Sequence, residues 1–360
     1  MKLFIVGPVQ MYNNVLKIRE KDFPYFRTEH FSNIMLNNAK RLSLLLGCKS
    51  IQNLLFFTMS GTGAMEAAVQ NCIFDTDKCI VINGGTFGQR FCDLLDWHNK
   101  KYTSINLNWN EKLTEEHLKK LEGKNYTTLL VNLHETSTGQ LYDINLLSNF
   151  CKKNNLKLIV DAISTFLADD FNMDKYNIDA AIISSQKGLC CSAGMSIIAV
   201  SDKLKTEILN HRSQTLYFNF GDYFKNMKRG QTPYTPAVGI AYELNEMLNL
   251  IDKTTEEVWL KNIKNKALYF RTQANKLGFK IPNSYNLSNM LTPLYFEDEI
   301  ASDVVRILRD DFDIYINPCG GELANKLVRI SHIGNTNIKD IDELLEKLVI
   351  VTKKIKEEAV

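Results

Sequence analysis

Lys187 stands where a greasy run stops: "AAIISSQKGLCCSAG", residues 180–194, ends its apolar stretch on Ser-Gln-Lys. A solvated surface lysine is the ordinary reading of such a residue. A lysine at the edge of a core, held neutral by desolvation and nearby positive charge, is instead a nucleophile able to form a Schiff base with a carbonyl. Asp161 ends another apolar run, "LKLIV", and is either a helix cap or the partner of a buried cation. "SGTGAMEAA", from Ser60, is built of small residues that let the backbone turn tightly into a helix. The free N–H groups and dipole of such a helix can hold a phosphate, with Ser60 or Thr62 adding a hydroxyl. The stretch is neither a P-loop nor a Gly-x-Gly-x-x-Gly fingerprint, and a plain helix cap accounts for it as well. Phe87, flanked by glycines in "GGTFGQRF", offers an aromatic face or ordinary core packing. One cofactor would use all four features. Pyridoxal phosphate needs a lysine for its aldehyde, a carboxylate for its ring nitrogen, an anion cradle and an aromatic lid.

These groups can cooperate only if the elements between them bring them to one edge. "FSNIMLNNAKRLSLLLG" reads as a helix with Ile34, Leu42, Leu45 and Leu46 on its apolar face and Gly47 as its stop. Leu54 to Phe57 read as a strand, "SGTG" as a turn and Ala64 to Cys72 as a helix. "KCIVINGG", "YTTLLVNLHETSTG", "LKLIVDAIST", "IDAAIISSQKG" and "GMSIIAVSD" supply further strands, with "TFGQRFCDLLDWH" and "INLLSNFCKKNN" as helices among them. Strands alternating with helices, and apolar throughout, predict an α/β fold with a mostly parallel sheet covered on both faces. Working groups then collect beyond the carboxyl ends of the strands, where Ser60 to Thr62, Glu135 and Thr136, Asp161, and Gln186 with Lys187 all fall. Towards the C-terminus "DKTTEEVWLKNIKNKALYFRTQANKLG" reads as one long amphipathic helix. "NMLTPLYF", "EIASDVVRILRDD", "IYINP", "LVRISHIG" and a last helix complete a smaller C-terminal α/β unit. The expected division is a large domain over residues 15–240 and a small one made of 1–14 and 241–360.

Bulk properties narrow the classes. With 43 Lys+Arg against 41 Asp+Glu the net charge is +2, which gives no basic field for nucleic acid or a membrane surface. No run reaches the ~18 apolar residues of a spanning helix. The apolar run Leu3 to Val6 is too short for a secretion signal and is broken by Gly7-Pro8. Eight scattered cysteines without Cys-x-x-Cys pairs, and six dispersed histidines, give no metal-site spacing and suit a reduced cytoplasmic protein.

Taken together the chain resembles the class V aminotransferases of fold type I, in the branch of alanine–glyoxylate and serine–pyruvate aminotransferases. The matching pieces are Gly7-Pro8, Arg27 before a helix, "SGTGAMEAA", "NGGTFGQR", "HETSTG", "VDAIST", "SSQKG", "QTPYTPAVG" and "VRISHIG", in order along nearly the whole chain. The resemblance implies a seven-stranded sheet, pyridoxal 5'-phosphate and a homodimer with a shared active site. It implies Lys187 as Schiff-base lysine and proton shuttle, Asp161 at the pyridinium nitrogen, Phe87 stacked on the ring and Thr136 near the ring hydroxyl. Ser60, Gly61, Thr62 and Gln186 would contact or flank the phosphate, and Tyr234 and Thr235 would reach the phosphate of the partner subunit. Arg329 would bind the substrate carboxylate, with Gly7 in the substrate pocket; a surface salt bridge is the plain alternative for Arg329. The implied reaction moves an amino group from alanine or serine to glyoxylate or pyruvate.

Rival activities on the same fold are a 2-aminoethylphosphonate–pyruvate transaminase and a cysteine desulfurase or lyase. The first usually has Ala-Asn-Lys where this chain has Ser-Gln-Lys, and the second a histidine where Gln186 stands. Cys190 and Cys191 read as small apolar fillers, whereas Cys319, in the glycine-containing loop "INPCGGELANK", is the one thiol placed for sulfur chemistry.

Overall fold

A computed structural model describes residues 1–358. Seven strands make the main sheet: β2 (Leu54–Phe57), β3 (Lys78–Asn83), β4 (Lys101–Asn106), β5 (Thr128–Asn132), β8 (Lys157–Asp161), β9 (Ala180–Ser184) and β10 (Ser196–Val200). Their spatial order is β2-β10-β9-β8-β5-β3-β4, and β10 alone runs against the others. A short antiparallel ribbon, β6 (His134–Glu135) with β7 (Gln140–Leu141), follows β5.

Side chains alternate faces along a strand, and the two cores beside this sheet sort accordingly. Leu54, Phe56, Ile80 and Ile82 join one core, with the helices Glu29–Leu46 and Val238–Thr254. Leu55, Phe57, Cys79 and Val81 join the other, with the helices Gly61–Cys72 and Thr86–Trp97. Both faces are covered, which is why the central strands read as unbroken apolar runs.

A second sheet has the order β1-β12-β13-β11, from Lys2–Phe4, Ile314–Pro318, Leu327–Ser331 and Leu291–Tyr295. The first residues of the chain thus pair with a strand more than three hundred residues on, Lys2 opposite Ile314. The helices Glu256–Lys276, Ala301–Phe312 and Ile338–Glu358 pack on it through Phe270, Leu308 and Leu348. Residues of Val238–Thr254 and the start of Glu256–Lys276, from Ala241 to Ile263, pack into the core of the main sheet.

Several elements differ from the sequence reading. "SGTG" is not a free turn: Ser60 is the N-cap, its hydroxyl accepting from the Gly63 amide at 3.3 Å, and the helix begins at Gly61. The expected long helix from Asp252 is two helices, parted at Thr255, whose φ is +67°. Periodicity carries across that break, but Thr255 followed by Glu256 and Glu257 is a helix-start signal, and the Thr255 hydroxyl caps Val258 N. Strand β4 was not recognised, because Lys101–Asn106 lies at the sheet edge and buries only Ile105.

Candidate active site

Five parallel strands of the main sheet end at one edge and deliver most of the candidate groups there, whereas Arg329 comes from the second sheet and Gly7 from the segment after its first strand. Lys187 follows β9 after two residues, in a turn closed by Cys190 N donating to the Lys187 carbonyl at 2.8 Å and Cys191 N to Ser185 O at 2.9 Å. Its Nζ donates to the carbonyl of Val6. Burial, then the nearby charges of Arg329 and Arg90, pulls the Lys187 pKa down to about 8, with Asp161 opposing. Gly7 lies against it, with φ +130°; a Cβ there would come within 2.8 Å of Lys187 Cδ. Only glycine lets the backbone pass so close.

Asp161 ends β8, paired in register with Asn132 of β5 and Ile182 of β9. It is buried, and burial lifts its pKa to about 6 against the pull of the Ile163 amide, Lys187 and Arg90. Its Oδ1 accepts from Ile163 N at 2.9 Å, and no side chain or amide among the described residues donates to Oδ2.

Phe87 is half-buried in the first turn of the helix Thr86–Trp97, and the Arg90 guanidinium lies 4.8 Å from its ring centroid. Glu135 fixes this turn. Its carboxylate accepts from Gly88 N at 3.0 Å, Phe87 N at 3.4 Å and Asn132 Nδ2 at 2.8 Å. A fully buried anion thus meets the positive end of a helix dipole.

Thr136 is buried, its hydroxyl donating to Ser164 Oγ at 2.7 Å. Its carbonyl accepts from Arg329 Nη1 at 3.1 Å, while Nη2 donates to Pro318 O at 2.6 Å. Arg329 Nε is buried without a partner, and burial lowers the pKa of the guanidinium. This excludes the surface salt bridge that its sequence position allowed. His134 Nδ1 lies 3.3 Å from Ser164 O, and because a carbonyl only accepts, that nitrogen carries the proton. Burial drops the His134 pKa to about 3, so it is a neutral, weak base.

Ser60 and Thr62 are exposed at the start of their helix, and Gly61 is buried; a Cβ on Gly61 would lie 2.5 Å from Ile163 Cδ1. The carbonyl of half-buried Gln186 accepts from Val9 N at 3.3 Å. Arg27 pins the segment holding Tyr234 and Thr235, donating to Gln231 Oε1, Thr232 O and Pro233 O. Thr58 Oγ1 donates to Thr235 O at 3.4 Å, so this segment lies beside the Ser60 loop. Cys190 and Cys191 are buried, with burial pushing the Cys190 thiol up to about 12. Cys319 is buried next to the site and its thiol donates to Ser137 O at 3.4 Å.

Three participants escaped the sequence reading: the capping role of Glu135, Arg90 and the Val6 carbonyl. Arg90 had a readable signal, since residues three apart share a helix face and Phe87 was already a candidate. The Val6 contact had none.

Residues 24–344 match the profile of the family described as Aminotransferase class-V. The chain belongs to that family. An uncharacterized aminotransferase of Methanocaldococcus jannaschii is 28% identical over 99% of this chain and 92% of its own length. A serine–glyoxylate aminotransferase of Arabidopsis thaliana is 26% identical over 93% of this chain and 86% of its own. The crystal structure of an alanine–glyoxylate aminotransferase from Nostoc sp. superposes with a TM-score of 0.91 at 23% identity, covering 97% of this chain and 94% of that one, which shows a shared fold. The protein is an aminotransferase with fold type I of the pyridoxal-phosphate enzymes.

The residues of this aminotransferase fit that cofactor on features of their own. Asp161 Oδ2 has no donor among the described residues, burial brings the Lys187 pKa down to about 8, and the Gly61 amide opens a helix packed too tightly for a side chain.

Proposed function

We propose that the enzyme transfers an amino group from alanine or serine to glyoxylate or pyruvate, using pyridoxal 5'-phosphate bound at Lys187. The observation that carries this reading is the convergence of Lys187 and Asp161, at the carboxyl edge of the main sheet, with Arg329, which reaches the same edge from the second sheet through Thr136 O; the lysine pKa there is about 8. The names of the relatives, among them a serine–glyoxylate aminotransferase, support the substrate class.

When bound, pyridoxal phosphate supplies an electron-withdrawing ring that stabilises the negative charge left on the amino acid's α-carbon. Asp161 would hold the ring nitrogen protonated, with its unpaired Oδ2 free to accept. Phe87, in a turn held by Glu135, would cover one ring face, and Thr136 would serve the ring hydroxyl. The first turn of Gly61–Cys72, with Ser60, Thr62 and Gln186, takes the phosphate on free N–H groups. In a homodimer Tyr234 and Thr235 would reach the phosphate held by the partner subunit. Arg329 takes the substrate carboxylate in a two-bond fork, and Gly7 leaves room for the substrate beside Lys187. Lys187 Nζ, neutral in part at physiological pH, removes the α-proton and returns it. Eight unpaired cysteines support a reducing, cytoplasmic location; among the described residues no helix is long and apolar enough to cross a membrane.

The test is an absorbance scan of the cofactor-loaded protein with alanine, serine, aspartate, cysteine and 2-aminoethylphosphonate in turn. Alanine or serine should bleach the visible band and glyoxylate or pyruvate restore it, with Lys187→Ala showing no band. Response to the phosphonate alone would move the assignment to that donor. Sulfide released from cysteine, and lost with Cys319→Ala, would make the protein a desulfurase. The buried, hydrogen-bonded Cys319 thiol, its pKa raised by burial, opposes that outcome.

A further inference from the structure

Lys187 sits in a loop that closes on itself. Ser185, the first residue after β9, makes the closure. Its amide donates to Met195 O at 3.0 Å and its hydroxyl to Ser192 O at 2.6 Å, while Met195 N donates back to that hydroxyl at 3.3 Å. Its carbonyl takes the Cys191 amide. Between these ties Cys190 holds φ +49°, a left-handed conformation unfavourable for a residue with a side chain. Such a conformation persists only where its surroundings fix it.

One carboxylate ties this loop to a helix. Glu243, in Val238–Thr254, accepts from Ser192 N at 2.7 Å and from Ser192 Oγ at 2.9 Å. Ser192 is thereby held at three atoms, its N–H and hydroxyl by Glu243 and its carbonyl by Ser185. The helix is a firm support, because Ala241, Leu244 and Met247 beside Glu243 are fully buried in the core of the main sheet. Glu243 is itself only 3% exposed, and its salt bridge is to an exposed arginine, Arg19, whose Nε lies 3.7 Å away. A buried carboxylate is costlier than an apolar side chain of the same shape unless its bonds serve a purpose. The chemistry described above uses neither Glu243 nor Ser192.

We propose that Glu243 is a positioning residue for Lys187: it fixes Ser192, Ser192 and Ser185 fix the loop, and the loop fixes where Nζ stands. The inference rests on Lys187 being the lysine that binds the cofactor. Glu243 holds the loop from the helix side, as Val6 and Val9 hold it from the N-terminal arm. The charges that move the Lys187 pKa are Arg329, Asp161 and Arg90, and Glu243 is not among them. A change in that pKa on replacing Glu243 therefore reports displacement of the lysine. Its sign is fixed as well: a lysine less buried titrates nearer its ordinary value, upward from about 8.

The experiment compares the wild type with Glu243→Leu, which fills the space without accepting, Glu243→Gln, which keeps one accepting oxygen, and Ser192→Ala. Capture of pyridoxal phosphate by the cofactor-free enzyme is followed across pH, beside thermal melts and steady-state kinetics with the donor active in the wild type. In Glu243→Leu the inflection should rise by about one pH unit, and kcat should fall roughly tenfold with KM little changed. Glu243→Gln should restore part of both. Ser192→Ala, which loses only the hydroxyl bond, should lie between the wild type and Glu243→Leu. A lower melting temperature with the inflection and kcat at wild-type values overturns the proposal, since a merely structural carboxylate gives that result. Should Glu243→Leu fail to fold, Glu243→Gln and Ser192→Ala decide by the same comparison. A wild type that captures no pyridoxal phosphate overturns the reading of Lys187 itself, and this inference with it.

Discussion

The Lys187 ammonium donates to the carbonyl of Val6, a residue 181 positions earlier in the chain. Val6 follows β1, which is hydrogen-bonded into the second sheet through Phe4 and Ile316. The lysine of the main sheet is therefore held by an arm anchored in the other sheet, and movement of that arm is felt at Nζ.

Gly7→Ala tests the closeness of this approach. The new methyl would lie 2.8 Å from Lys187 Cδ and 3.1 Å from Gln186 O, on backbone at φ +130°. We expect kcat to fall by roughly tenfold or more, as a misplacement of about 1 Å can cost a hundredfold, with the fold retained. Steady-state kinetics beside a circular dichroism spectrum checks this; an unchanged kcat would show that the arm gives way freely.

The lowered pKa of Lys187 sets a pH dependence. Capture of pyridoxal phosphate by the cofactor-free enzyme requires the neutral amine, so its rate should climb with pH and level off above about 8. Burial is the main cause and Arg329 the next, so Arg329→Gln should move the inflection upward. Stopped-flow absorbance across pH reads it, and an inflection near the ordinary lysine value in the wild type would contradict the site's electrostatics.

Asp161→Asn should separate stability from activity. The folded-state pKa of about 6 lies above the ordinary 3.8, so the folded cofactor-free protein binds more protons between the two. Stability is then lost as pH rises through that window and stays lost above it. Removing the charge should stabilise the cofactor-free protein at pH 8 by on the order of 2 kcal/mol, while transamination falls steeply. Thermal melts at pH 4 and pH 8 give the answer: the gain should be present at pH 8 and small at pH 4.

Glu135→Ala removes the cap from the turn that carries Phe87. Stability should drop by about 1–2 kcal/mol, and pyridoxal phosphate should dissociate faster because the ring of Phe87 loses its fixed position. Glu135→Gln keeps one accepting oxygen and should recover part of both. A cofactor off-rate unchanged in Glu135→Ala would show that Phe87 is held by other contacts.

The sheet and its functional edge were legible because the relevant signals are local. A strand buried on both faces must be apolar throughout, so Asp161 and Lys187 stand out where "LKLIV" and "AAIIS" end. Small residues at Ser60 to Gly63 and the glycines before Phe87 mark tight turns into helices. What depends on packing was not legible. The break at Thr255, although marked by a helix-start signal, is masked by an apolar period that runs through it, and β4 hides because an edge strand needs little apolar surface.

By itself the sequence determined the order of strands and helices, the polar residues at strand ends, and the family likeness that joins them. Those follow from backbone hydrogen bonding and the separation of apolar from polar side chains, which act over a few residues. The tertiary structure alone decided that Val6 accepts from Lys187, that Glu135 holds the Phe87 turn, and that half-buried Arg329 has a buried, unpaired Nε. Each of these is a contact between distant segments, and the desolvation that moves Lys187 to about 8 and Asp161 to about 6 exists only once those segments exclude water.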